Sequence, residues 1–523
     1  MRPCLPFIAS ALVALGSDAA AQGPLGPSGI DYDTVDELGY SEYVQPLLAA
    51  RHAFASASTS EAGALEAYAW EALFEGEAGA AVVPFDAEGS PLVRYVEDLP
   101  DTVAIPYPNL RRLQPDELRY LKRWIEAGAR NDAGAVPYGD AQPLLFAAVQ
   151  GENHVAIIDA ARRRVIRRVY FDDHGLPSAP YGPHHVVFDP DASTWTVSLI
   201  SAGAVATFRM DLQMDPSDPA YRLAASEPGA FTTPGMMALD ADAGRLYVGR
   251  STLSSSGTFG VGVFDAATLA PVEEFALPGY DIPHALALTP DGRHLVTAPL
   301  VGHHALVLDA HTGDLVSQTP VGGTRELVHA NVLPDGSTAT LTANAQDGGS
   351  AVLFFEIAAD GSLTPTGSAP TGARAWHAHL DGDGRTLLVP NRADGSVTLI
   401  DVPTQRVRMT AENPAVGGPL AMPHSPAPAH AGVLFVSNSN LQGTWTPPHR
   451  FLDADPDGDG VREPLPASDF GNVAALDAAT GAVVAVIPLG RYPSGLEHWH
   501  GAGGHGGPDG PRDGAEHGGH HGH

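Results

Sequence analysis

Twenty-three histidines and one cysteine set the range of chemistry open to this chain. The histidines that matter stand out by alignment. Segments opening at Pro183, Pro234, Pro283, Leu327, Ala375, Pro423 and Pro493 share a short apolar run, and in most of them the run ends in an acidic turn. Five of the seven carry histidine near their start: His184 with His185, then His284, His329, His377 and His424. A sixth has Met236 at the equivalent place, and His379 and His498 are further candidates close by. Neutral imidazole is the usual ligand of copper and zinc, and a thioether favours copper, so a ring of histidines with one methionine points to a copper-type or zinc-type site. The alternative is a polar core in which the rings hydrogen-bond between neighbouring segments, because successive places on a strand face opposite ways.

Two other stretches have metal-ligand character. Asp453, Asp455, Asp457 and Asp459 alternate with small residues before Gly460, the spacing of an EF-hand-like calcium loop. Pro464 stands where the bidentate glutamate of a full loop belongs, and a solvated acidic loop is the competing reading. Residues 501–523 are rich in Gly and His, with His505, His517, His520, His521 and His523, which reads as a disordered tail that chelates metals loosely. No Gly-x-Ser-x-Gly motif, phosphate-binding glycine loop or obvious carboxylate pair occurs. Catalytic groups on repeat architectures come from scattered loops, so hydrolase activity stays open.

The elements that must position these residues follow from composition and periodicity. Hydrophobic residues make up 44% and charged residues 17% of the 523, with 58 Gly and 46 Pro, a mixture that favours a soluble, turn-rich β architecture. Residues 1–21 have the layout of an export signal: Arg2, an apolar run from Leu5 to Leu15, and a small-residue cleavage site ending at Ala21. The only cysteine, Cys4, falls inside it. The mature chain therefore lacks disulfides, thiolate catalysis and thioether-bound haem, and belongs in the periplasm or outside the cell. Residues 22–39 read as a linker. Residues 40–132 read as mostly helical, and the clearest helix opens at Pro115-Asp116-Glu117, continues through Leu118, Leu121, Trp124 and Ile125, and stops at Gly128. From 144 to 500 short strands recur at the period of propeller blades, roughly 40 to 50 residues. The strands at Leu144, His154 and Val165 would join the last segment, closing a ring of seven blades by pairing the two ends of the chain.

The net charge is −32, and Lys122 is the only lysine. That balance repels phosphate backbones and anionic lipid, so nucleic acid is no partner and no membrane insertion is expected. A protein partner in the periplasm is compatible with it.

Pro290-Asp291-Gly292, Pro334-Asp335-Gly336, Asp309-Ala-His-Thr-Gly313 and Asp477-Ala-Ala-Thr-Gly481 resemble the turns of YVTN-family seven-bladed β-propellers over residues 144–500. Residues 40–132 resemble the small cytochrome c-like domain often fused to such propellers. The resemblance rests on Tyr43 to Arg51, Trp70 to Leu73, Pro91 to Arg94, Pro106 to Leu110 and Trp124 to Asp132. In that family a Cys-x-x-Cys-His motif follows the first helix. Here the motif becomes His52, Ala55 and Ser56, and the distal methionine becomes Ile105, so the resemblance implies a degenerate domain without haem. The nitrous-oxide reductase propeller is similar in plan, with copper held by histidines inside a seven-bladed ring, but its cupredoxin domain has no counterpart here. Two functions follow as expectations: a periplasmic binding or scaffold protein with a metal at the histidine mouth, or a copper-dependent redox enzyme or electron-transfer component.

Overall fold

The computed structural model describes residues 29–51, 69–75, 82–93, 113–176, 180–251, 260–280, 282–413, 417–446, 453–454, 463–464 and 470–499. Residues 1–21, read as an export signal, and 501–523, read as a tail, lie outside these residues, as do His52, Ala55, Ser56, Ile105, Asp455, Asp457 and Asp459. Asp453 falls in a two-residue strand, Asp453–Ala454, paired with Glu463–Pro464.

Before Leu144 the described elements are mainly helical: a π turn at Tyr40–Val44 leading into Gln45–Arg51, then Trp70–Glu75 and Pro115–Glu126. The last forms as its sequence predicts. Pro115 occupies the first turn, where its missing N–H costs nothing, and the Glu117 carboxylate accepts from the Gln114 N–H at 2.7 Å. Gly128 then turns the chain with φ +99°, at a spot where a Cβ would meet the Phe85 ring at 2.7 Å. Among the described residues no helix is long and apolar enough to cross a membrane.

These helices share one buried cluster with the β part, Tyr40, Leu47, Leu121 and Trp124 packing into the same core as Phe146, Ile157, Trp195 and Phe208. Polar contacts fix the docking: Arg168 pairs with Asp86 at 2.6 Å, and the Tyr138 hydroxyl donates to the Phe74 carbonyl at 2.8 Å. Arg167 is fully buried between the two parts. It donates to the carbonyls of Pro137, Ile166 and Leu212, while burial lowers its pKa to about 10.

The remainder is mainly β, in antiparallel sheets built from consecutive strands. The first sheet departs from chain order. Pro493–Trp499 pairs onto Leu144–Val149, so the last described strand completes the sheet begun by the first one, which removes an open edge from both. The leading strands of the sheets, Pro183–Phe188, Pro234–Asp240, Pro283–Leu288 and Pro423–His430, pack beside their neighbours. Pro493–Trp499 lies between Pro183–Phe188 and Pro423–His430. The arrangement is propeller-like, with these strands innermost.

Two segment starts differ from expectation. Leu327 does not open a separate strand: Leu315–Val332 runs continuously, pairing with Val301–Asp309 in its first part and Thr338–Ala345 in its second, so two sheets merge into one of seven strands. Gly322 and Gly323, at φ +77° and +107°, supply the bend that lets one strand serve both. The segment from Ala375 forms only an isolated bridge to Asn391 and the strand His379–Leu380. Its carbonyls go elsewhere: Asn344 donates to the Ala375 oxygen and Asn331 to the Ala378 oxygen, both at 2.9 Å.

A shared device opens the innermost strands. The residue just before the strand is left-handed at Gly182, Thr233, Ile282, Met422 and Tyr492, with Arg374 in the same place ahead of Ala375. Four of the strands, at Pro183, Pro234, Pro423 and Pro493, then fit three residues against two on the partner, and those at Pro283 and Leu327 fit two against one. One extra residue is a β-bulge, and it breaks the strict alternation of faces at the places the histidines occupy.

Candidate metal centre

The bulges bring the aligned histidines together. His184, His284 and His377 each offer one nitrogen, and these nitrogens lie within 4.8 Å of one another. All three rings are buried. Three nitrogens bound to one ion at about 2.0–2.1 Å sit at most about 4.2 Å apart, so small side-chain rotations would gather the set.

Hydrogen bonding decides which lone pairs are available. His284 Nδ1 lies 2.6 Å from the Val328 carbonyl, which can only accept, so the ring hydrogen is on Nδ1 and the Nε2 lone pair is left for a ligand. His184 has no hydrogen-bond partner at either nitrogen, and His377 has none at Nε2. Buried polar groups are almost always paired, and these are orphaned where three of them converge, which argues against a merely polar core.

Charge points the same way. Burial, reinforced by His284, His185 and Arg392, holds His184 well below the usual imidazole range. His377 is lowered by burial and by its histidine neighbours, and His284 falls to about 4, chiefly through burial. Rings that stay neutral at ordinary pH have the form in which imidazole binds a metal.

The other candidates take different places. His424 packs edge-on to His377 at 4.7 Å between ring centroids, but its Nε2 accepts the Trp376 indole N–H at 3.1 Å, which ties up that lone pair. His329 stands between two groups, 5.4 Å from the His377 ring and stacked on His379 at 5.2 Å. His185 turns to a second group. Its Nδ1 accepts the Met237 N–H at 3.2 Å, and its Nε2 lies 3.3 Å from Glu497 Oε1. His379 Nε2 approaches the same oxygen at 3.6 Å. Met236 joins this second group, in the wall of a cavity of about 290 Å³ that His185, His329, His379, His498 and Glu497 also line. The bulge is the reason adjacent residues such as His184 and His185 serve two groups in one channel.

Glu497 and Asn331 were missed in the sequence. Counted from Leu327, Ala375 and Pro493, Asn331, His379 and Glu497 each hold the fifth place, so the alignment that found the histidines also carried this signal.

No family model matches the chain, and no curated protein matches it. Among solved structures, the periplasmic gluconolactonase PpgL of Pseudomonas aeruginosa is similar at 19% identity, over 68% of this chain and 99% of that one, with a TM-score of 0.49. The dihydro-heme d1 dehydrogenase NirN is similar at 16% identity, over 80% of this chain and 93% of that one, at 0.42. Hydrazine synthase of Kuenenia stuttgartiensis is similar at 16%, over 56% and 89%, at 0.44. Function therefore has to come from the side chains themselves.

Proposed function

We propose that this chain is an exported, periplasmic seven-bladed propeller that binds one transition-metal ion, zinc or copper, through His184, His284 and His377. The observation that carries the proposal is the convergence of three buried imidazole nitrogens within 4.8 Å, with His184 unpartnered and His284 fixed in the ligand-ready tautomer. The leader-like residues 1–21 support export, and counting one leading segment per blade supports seven blades. The role that fits best is binding, with a copper redox role as the alternative, since a set of three imidazoles suits copper as well as zinc.

Elemental analysis tests this on protein purified from its native compartment with residues 501–523 removed, so that tail histidines do not contribute. The expected result is one equivalent of zinc or copper, with electron paramagnetic resonance separating the two. His284→Ala and His377→Ala should each weaken affinity by about a hundredfold or more. Folded protein that takes up neither metal when dialysed against it would overturn the reading.

A further inference from the structure

We propose that the cavity beside the histidine cluster binds a small primary ammonium compound on the Glu497 carboxylate. The cavity, about 290 Å³, suits a molecule of a few heavy atoms. Among the described residues, Glu497 is the one carboxylate in its wall, and neither lysine nor arginine lines it.

The histidines around Glu497 leave one of its oxygens, Oε1, buried and unsatisfied. His185 turns its Nδ1 to the Met237 N–H, and its Nε2, like that of His379, approaches Glu497 Oε1 without forming a hydrogen bond. A carboxylate screened from water without a cation is costly, and a ligand that brings one relieves that cost.

The rest of the wall selects the kind of cation. Among the described residues, the donor atoms of His185, His379 and Glu497 do not converge as those of His184, His284 and His377 do, so a bare metal ion has no cage here. Met236, Met237, Leu286 and Leu380 give an apolar surface for a short alkyl chain. Asn331 commits its amide hydrogens to the Ala378 carbonyl at 2.9 Å, which leaves its amide oxygen as a second acceptor. A primary ammonium has three N–H donors to share between these acceptors, whereas an alcohol brings no charge and a carboxylate brings the wrong one.

This site needs no metal, so it is tested on chelator-treated full-length protein by titration calorimetry with n-propylammonium, n-propanol and propionate. The expected result is saturable binding of propylammonium alone, with a Kd below about 1 mM. Glu497→Gln should weaken it at least about tenfold, and Glu497→Asp should restore part of the loss. Should Glu497→Gln fail to fold, Leu286→Phe, which fills the cavity and leaves the carboxylate, should block binding in its place. Equal binding of propanol, no binding of propylammonium by folded wild type, or undiminished binding by a folded Glu497→Gln or Leu286→Phe overturns the proposal. Metal uptake is read separately, so either proposal can fail while the other stands.

Discussion

His284 shows how much of a site is decided by one hydrogen bond. The Val328 carbonyl fixes its tautomer, and burial drops its pKa from 6.5 to about 4. In the unfolded chain the ring titrates near 6.5, so above that pH neither state carries a proton and stability is independent of it. As pH falls from about 6.5 towards 4, the unfolded state takes up a proton that the folded state refuses, and the folded state loses roughly 3 kcal/mol from this residue. Urea denaturation of metal-free protein at stepped pH should show that loss, and His284→Leu should flatten it by about one proton. An unchanged slope would mean that the burial of His284 is not what the pH dependence reports. The sequence displayed the five histidine-bearing segments because type and place repeat. It did not display which three rings converge, since that depends on bulge geometry and on competitors such as the Trp376 indole, which claims His424. Glu497 stayed hidden for a related reason: one acidic residue among 61 draws no attention until its neighbours in space are known.

At the level of elements, the left-handed residue and bulge at the head of the inner strands explain both the success and the failure of reading by repeat. Starts at Pro183, Pro234, Pro283, Pro423 and Pro493 were legible because proline and the apolar run recur at each. The merging of two sheets through Leu315–Val332 was not, because the Gly322-Gly323 bend replaces a chain break with a turn inside one strand. Nor was the two-residue strand at His379, where asparagine side chains take carbonyls that a ladder would otherwise use. Close packing of the inner strands adds a constraint on the site. At Gly495, in the third place of its segment where others carry His185, Met236, His329 or His377, a Cβ would lie 2.0 Å from the His184 carbonyl oxygen. Gly495→Ala must therefore push two inner strands apart, at a cost of about 1–3 kcal/mol. It should lower the melting temperature and also weaken metal binding, because the displaced backbone carries His184. A variant that loses stability but holds metal as tightly as wild type would show that His184 is not a ligand.

For the whole molecule, closure by the two ends of the β part ties stability and site to the same strand. Leu144–Val149 is buried at all six positions, and its sequence, Leu-Leu-Phe-Ala-Ala-Val, is an apolar edge once its partner is removed. That partner is Pro493–Trp499, which also supplies Gly495 against His184 and Glu497 against His185. Its contacts join residues more than 300 positions apart, such as the Ser494 hydroxyl with the Ala148 and Pro183 carbonyls, so closure comes only after a large loop-entropy cost has been met. Deleting residues 493–523 should open the first sheet, leave an unpaired apolar strand edge and drive self-association, which light scattering and size-exclusion chromatography would register. Deleting only residues 501–523 leaves every pairing of the described sheets in place and should keep both the oligomeric state and the melting temperature of the full chain. If the longer deletion keeps the oligomeric state of the full chain and melts as the full chain does, the ring is not held shut by this strand, and its stability must depend on packing between the neighbouring sheets instead.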